Sequence, residues 1–238
     1  RGEVAVISGG LGDIGRAIAR ELARRGADIA LGDILPDDRA ADFLAELATL
    51  GRRARYARVD VANSAAVEHW VRGVEEGLGL PSLIIPNAAV VTAKNIRELA
   101  PEEFLRELQV NLCGAFHLAQ SAAVCLIRHK RPGRIVLVGI WVAHAAQTHI
   151  PAYCVSKAGL RMLGKCLARD LASAGILVNE VQPGNVDAGL SGKMFQGNPA
   201  LREQCRQTIP IGVLMQPEDV AFQVAHLCEP SNRHMTGE

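Results

Sequence analysis

Tyr153 and Lys157 stand four residues apart in AYCVSKAGLRMLGKCLARDLASAG, a segment that continues helically. Both side chains therefore lie on one helical face, one turn apart. An ammonium beside a phenol favours the phenolate and draws a group that ionises near pH 10 in water (about 10) toward the working range of an enzyme. Tyr153 can then exchange a proton with a substrate hydroxyl. Alone, this spacing is a weak signal. It gains meaning if the chain also builds a place for a hydride acceptor, and that requirement leads back to the first thirty-three residues.

Glu3 to Ser8 (EVAVIS) is a short β-branched apolar run, followed by GGLGDIG and then RAIARELARRGA, whose apolar residues recur at helical spacing. DIALGD, ending at Asp33, completes a β-α-β unit. The turn formed by Gly9, Gly12, Asp13, Ile14 and Gly15 sets backbone N–H groups and a helix N-terminus where a pyrophosphate can sit. Glycine lets the backbone approach closely, and the helix end favours negative charge. Asp33 lies about twenty residues beyond the turn, where an acid accepts hydrogen bonds from a ribose 2′-OH and repels a 2′-phosphate. The uncharged Ile34 follows it, with no Lys or Arg beside it to neutralise such a phosphate. These features favour NAD over NADP. The bland alternative for Asp33 is a solvated carboxylate at a strand end.

The alternation continues down the chain. DDRAADFLAELATLG reads as a helix, RARYARVDV (52 to 61) as a third strand, SAAVEHWVRGVEEGLG as the next helix and PSLIIPNAA as a fourth strand. Pro101 to Lys130 reads as one long helix opened by Pro-Glu-Glu, RIVLVGI as a fifth strand and ILVNEVQPG as a sixth, stopped by Pro183-Gly184. Strands apolar on both faces and alternating with helices imply an α/β fold: a doubly wound parallel sheet covered on both sides, in a single domain over 1 to 238. Ligands bind such sheets at the carboxyl ends of the strands. Residues 188 to 212, rich in Gly, Pro and polar side chains, are the candidate for a mobile loop over the site.

With these motifs in order, the sequence resembles the short-chain dehydrogenase/reductase family over essentially its whole length. The resemblance is carried by SGGLGDIG at 8 to 15, Asp33, Asp60-Val61, Asn87-Ala88-Ala89, Asn111 in NLCGAF, Tyr153-x-x-x-Lys157, Asn179 in VNEVQPG and PEDVA at 217 to 221. It implies a Rossmann-type sheet and a nicotinamide cofactor. Asp60 and Val61 are placed by it near the adenine, Asn87, Ala88 and Ala89 along the adenosine ribose, and Pro183, Gly184 and Val186 among the cofactor-binding residues. The same resemblance makes Tyr153 the acid/base of an alcohol–ketone interconversion, gives Lys157 the nicotinamide ribose and the lowering of the tyrosine pKa, and has Asn111 support a water in the proton relay.

Several positions depart from the family pattern. Asp13 occupies the middle glycine of the turn, with Gly12 just before it, and is expected to cap the helix or to face away from the pyrophosphate. Pro86 and Ala89 replace the outer residues of Asn-Asn-Ala-Gly, Ala188 stands where a Thr is common, and the family usually continues past Glu238 into a last strand. The largest departure is thirteen residues before Tyr153, where the family carries a Ser that hydrogen-bonds the reacting oxygen and this chain has Ile140. Ile cannot donate. His144, Thr148 or His149, just downstream, can supply the missing donor or can be ordinary loop residues. An alternative reading follows: a cofactor-binding protein whose chemistry is impaired at Ile140.

Composition narrows the remaining classes. A chain of 238 residues with 49% hydrophobic content can bury a large core. Twenty-six basic against 25 acidic residues leave a net charge of only +1, with no electrostatic footprint for nucleic acid or an anionic membrane. The longest apolar run, roughly Ile135 to Ala146, is too short to span a bilayer. No signal peptide is visible, and the six cysteines show no metal or redox spacing, which points to free thiols in a reducing cytoplasm. Residues 101 to 130 and 152 to 174 carry more apolar and small side chains than one buried stripe requires. The family resemblance implies that these helices pair across a two-fold axis, giving a homodimer or homotetramer.

Overall fold

The computed structural model describes residues 2–238 apart from the side chain of Lys193. In chain order the elements are β1 (Val4–Ser8), α1 (Asp13–Arg24), β2 (Asp28–Asp33), α2 (Ala41–Thr49), β3 (Ala54–Arg58), α3 (Ser64–Gly77), β4 (Pro81–Ile85), α4 (Pro101–Leu108), α5 (Gly114–Arg128), β5 (Gly133–Val138), α6 (Pro151–Leu171), β6 (Ile176–Val181), α7 (Gly189–Phe195), α8 (Pro199–Gln207) and α9 (Pro217–Leu227). The six strands form one parallel sheet in the order β3-β2-β1-β4-β5-β6. The order reverses between β1 and β4, which opens a crevice at their carboxyl ends.

Alternation along each strand divides the core into two layers. Val4, Val6, Ile84, Ile135, Leu137, Ile176 and Val178 pack toward α3, α5 and α6. Ala5, Ile7, Ile29, Leu31, Leu83, Ile85, Val136 and Val138 pack toward α1, α2 and α9. Both faces of the inner strands are thus dry, which is why those strands read as nearly continuous apolar runs, while the edge strand β3 is only partly covered.

Several element boundaries differ from the sequence reading, each for a local reason. The third strand spans Ala54–Arg58 rather than 52 to 61, because the chain turns where Asp60 Oδ1 accepts the N–H of Ala62 at 3.0 Å. The fourth strand stops at Ile85, where Pro86 has no N–H to continue a ladder. The helix over Asp37–Thr49 opens as a 3₁₀ turn, Asp37–Ala40.

The long helix from Pro101 is interrupted by a π-turn, Gln109–Cys113, centred on Asn111, and ends at Arg128. By length and composition, 101–128 could cross a bilayer, but half of its most apolar window is buried inside this fold. It is a core helix whose outer face leaves Phe116, Val124 and Ile127 exposed.

Residues 188 to 212 are not an irregular loop, since they hold α7 and α8. Pro199 supplies the fixed φ for the first turn of α8, and the Asn198 side chain caps it by accepting the N–H of Leu201 at 3.0 Å. After α9 the chain returns to β6. Gly237 N–H donates to the Val178 carbonyl at 2.7 Å, the Glu180 N–H donates to the Glu238 carbonyl at 2.7 Å, and Asn179 Nδ2 donates to the Met235 carbonyl at 2.9 Å.

Candidate active site

The crevice is built first by glycine. Gly9 has φ of +63°, and a β-carbon there would stand 2.9 Å from the Cα of Ala88. At Gly15 a β-carbon would collide with the Gly9 carbonyl, so α1 can begin this close to the turn only without a side chain. Ser8 and Asn87 lock the other wall: Ser8 Oγ accepts the N–H groups of Asn87 (3.0 Å) and Ala88 (3.2 Å), and Asn87 Nδ2 donates to the Ser8 and Gly9 carbonyls at 3.0 and 3.2 Å. No side chain caps α1 among the described residues, which leaves first-turn N–H groups facing the crevice.

Asp33 closes the turn from β2. Its carboxylate accepts the N–H of Leu11 at 3.1 Å and of Leu35 at 3.3 Å, holding an acid at the rim of the cradle. Ile34 beside it is exposed. Strand register adds a neighbour that the linear sequence hides: Arg58 pairs with Asp33 across β2 and β3, and its Nε donates to the Ile34 carbonyl at 3.1 Å. A cation therefore does lie near Asp33, already engaged with backbone. Asp60 and Val61 follow at the end of β3, where the Val61 carbonyl lies 2.9 Å from His117 Nδ1.

Asp13 does not cap α1. Its carboxylate accepts the N–H of Gly189 at 2.8 Å, tying the glycine turn to the start of α7. Pro183 and Gly184 follow the end of β6, and Val186, buried, makes an isolated parallel bridge with Met215.

Tyr153 and Lys157 are both buried on α6, at 8% and 3% exposure. The Lys157 ammonium donates to the Val138 carbonyl at 2.9 Å and lies 5.7 Å from the Tyr153 ring centroid. Burial pushes Lys157 down to about 8, against the opposing charge of Glu180. Burial also pushes the Tyr153 hydroxyl above its ordinary value, and the charges of Glu107 and Cys154 push it in the same direction. The expected lowering by Lys157 is therefore not what this arrangement delivers, because removing a phenolate from water outweighs an ammonium directed at a backbone carbonyl.

Asn111 is fully enclosed in the π-turn. Its Oδ1 accepts the Val90 N–H at 2.8 Å, while Nδ2 donates to the Val90 carbonyl (2.9 Å) and to Ser156 Oγ (3.0 Å), which in turn donates to the Tyr153 carbonyl at 2.8 Å. One side chain thus ties the segment after β4 to the helix that carries Tyr153. One helical turn earlier, Glu107 accepts the Thr92 N–H through Oε1 and leaves Oε2 buried without a partner. Sequence reasoning missed Glu107, although an acid four residues before Asn111 shares its helical face.

Ile140 follows β5 in an extended conformation, φ −169° and ψ 155°, and opens a 3₁₀ turn over Trp141–Ala143. Its side chain has no hydrogen atom to donate. His144 faces elsewhere, with Nε2 2.9 Å from Gln182 Oε1 and Arg161 alongside, and Thr148 and His149 are exposed.

The family described as enoyl-(acyl carrier protein) reductase matches residues 10–238. The chain belongs to the short-chain dehydrogenase/reductase family. It is 31% identical to 2,3-dihydro-2,3-dihydroxybenzoate dehydrogenase of Bacillus subtilis (strain 168), over 99% of this chain and 92% of that protein. It is 29% identical to L-rhamnose 1-dehydrogenase (NAD(P)(+)) of Sphingomonas sp. (strain SKA58), over 99% and 92%. The NAD+-bound structure of xylitol dehydrogenase superposes with a TM-score of 0.94 at 26% identity, covering 100% of this chain and 96% of that one. As a member of this oxidoreductase family, the chain is suited to a nicotinamide cofactor and a small-molecule substrate. The cradle fits such a group: glycines where a β-carbon would block the turn, open N–H groups at α1 and the Asp33 carboxylate at the rim.

Proposed function

We propose that this protein is an NAD(H)-dependent dehydrogenase/reductase that interconverts a secondary alcohol and a ketone, with Tyr153 as acid/base. The observation that carries this reading is the placement of Tyr153 and Lys157 against the end of β5, in the sheet whose β1 and β2 ends carry the glycine cradle and Asp33. Bound nicotinamide supplies the hydride acceptor or donor. The residues of this chain do the rest. In oxidation, Tyr153 removes the hydroxyl proton as hydride leaves the carbinol carbon; in reduction, it returns that proton to the carbonyl oxygen. Lys157 holds positive charge beneath the tyrosine ring and, by family resemblance, holds the ribose. Asn111 fixes the position of the Tyr153 helix through Ser156 and, by the same resemblance, supports a water in the proton relay. The test is turnover with a panel of secondary alcohols and ketones, set beside NADH binding by fluorescence.

Asp33 supports NAD over NADP. Dissociation constants should favour NADH over NADPH by about 10- to 100-fold, the range expected when a charge-assisted hydrogen bond is exchanged for repulsion. Arg58 sharpens this test, because a guanidinium released from the Ile34 carbonyl would favour the 2′-phosphate. Equal or tighter NADPH binding would show that Arg58, rather than Asp33, sets the preference.

A second reading, a cofactor-binding protein with little turnover, draws on Ile140, whose side chain stands where the family's serine donates. NADH binding without turnover across the panel would favour it.

We further propose a homo-oligomer, a dimer or a tetramer, in a reducing compartment such as the cytoplasm. The outward faces of α4, α5 and α6 expose Leu105, Phe116, Val124, Ile127, Val155 and Met162. Together these exceed the scattered apolar side chains usual on a monomer surface. All six cysteines are free thiols, which suits the reducing compartment. Light scattering at micromolar concentration should give at least twice the monomer mass of 25.4 kDa, and a monomer would refute the assembly.

A further inference from the structure

Glu180 is the one acid in β6, and it lies against the catalytic machinery. It pairs with Leu137 in the β5–β6 register and shares the strand face of Ile176 and Val178, which looks toward α6. Its Oε2 accepts a hydrogen bond from Gln182 Nε2 at 2.7 Å. Its Oε1 is buried and has no partner. That oxygen occupies the space beside Gly139, where any β-carbon would collide with it. Gly139 directly follows Val138, whose carbonyl receives the Lys157 ammonium. A half-buried carboxylate with one enclosed oxygen and a fully buried ammonium therefore flank the same end of β5, each without a direct ion-pair partner among the described residues.

We propose that Glu180 is a positioning residue that keeps Lys157 protonated, acting through space from β6. This rests on the reading of Tyr153 and Lys157 as the proton-handling pair. A buried ammonium loses its proton more readily, and an acid in the same low-dielectric pocket offsets that loss. The opposing influences on Lys157 have these directions: burial lowers its proton affinity and Glu180 raises it. Glu180 itself is pushed upward by burial, and it is held back by Gln182, Lys157, Arg161 and His144. The charged and titratable groups around it are Lys157 and Arg161 from α6, His144 from the segment after β5, and, across the cavity it lines, Lys165 from α6 and Glu238 from the chain end. Arg161 and His144 are engaged with Gln182, whereas Lys157 is fully enclosed and bonded only to a carbonyl.

A salt bridge that served only stability would place the two charges in contact. Here Lys157 bonds to a carbonyl and Glu180 to an amide, so their coupling is electrostatic and should be visible in titration. In Glu180→Gln the amide keeps the volume and removes the charge. The alkaline limb of the kcat/KM profile should move toward lower pH by roughly one unit. Well below the limb, the rate should match the parent. Glu180→Asp should bring the limb part of the way back. Superimposed profiles, or a loss of rate uniform across pH, would overturn the proposal, because a packing role has no reason to follow the ionisation of Lys157.

A second measurement does not need turnover. With ¹³C-labelled glutamate, the Glu180 carboxyl resonance should titrate roughly one unit higher in Lys157→Met than in the parent, because the ammonium that favours its ionised form has gone. An unmoved Glu180 titration would overturn the coupling even if the protein proved inactive on every alcohol. A moved one in an inactive protein would keep the coupling while refuting the proposed reaction. The carboxyl titration also serves if Glu180→Gln does not fold.

Discussion

Tyr153→Phe should lower kcat/KM for any secondary alcohol by about 10²- to 10⁴-fold, the range carried by a positioned proton-transfer group, while the dissociation constant for NADH stays within about twofold. The substitution removes one oxygen and keeps the ring. That ring is buried on α6 and lies near Lys157, so the helix, the Asn111–Ser156 tie and the ammonium can remain as they are. The upward displacement of the Tyr153 proton affinity sets the direction of the accompanying pH effect. With burial the largest cause and the Glu107 charge adding to it, the hydroxyl keeps its proton through neutral pH in the free protein. Reduction, which needs a proton donor, should therefore hold its rate through neutral pH and fall only as the tyrosine ionises, whereas oxidation, which needs an acceptor, should rise as pH climbs. Parallel pH profiles in the two directions would contradict this. A Tyr153→Phe protein that turned over at the parent rate would remove Tyr153 from the chemistry.

Much of the scaffold was legible because it repeats a local rule. The inner parallel strands are largely apolar on both faces and each crossover helix has helical periodicity, so six strands and their order of appearance could be read from EVAVIS to ILVNEV, the edge strand β3 (ARYAR) by its place in the alternation rather than by its polarity. The cradle was legible for the same reason: turn, helix and Asp33 all lie within one β-α-β unit. What could not be read depends on pairs brought together from distant segments. Arg58 is twenty-five residues from Asp33 in sequence but its neighbour by strand register. Asp13 meets the Gly189 N–H across 176 residues, so the expectation of a helix cap failed even though the residue type was suitable. Glu107 and Glu180 look like ordinary surface acids until the fold buries the first and encloses one oxygen of the second.

The phenol–ammonium pair shows a subtler limit. Spacing places Tyr153 and Lys157 on one face, but it does not say how dry that face is. Burial decides the direction of both shifts: the tyrosine is raised and the lysine lowered. The helix of Asn111 reads as continuous in sequence because a single π-turn shifts the apolar pattern by only one residue. Its effect is to aim one buried amide at both Val90 and Ser156.

Ile140→Ser should raise kcat/KM for a secondary alcohol by on the order of 10²-fold and leave NADH affinity nearly unchanged. Ile140 follows β5 at the carboxyl end of the sheet, two residues beyond the carbonyl that holds Lys157. Charge that develops on the substrate oxygen during hydride transfer needs a second donor beside Tyr153, and an sec-butyl group offers only bulk. The backbone there is extended, φ −169°, so a serine is accommodated without strain. A hydroxyl at the start of the following 3₁₀ turn is a common arrangement for such a turn. The neighbouring candidates are already committed or exposed: His144 is held by Gln182 and Arg161, and Thr148 and His149 face solvent. His144→Ala and Thr148→Ala should accordingly change kcat/KM by less than about threefold, well under the loss that follows removal of a working oxyanion donor. If either abolished turnover while Ile140→Ser had no effect, the donor would have been relocated downstream. If the parent protein turned over at ordinary rates and none of the three substitutions changed it, stabilisation of the oxygen would rest on Tyr153 without a second side-chain donor at this position.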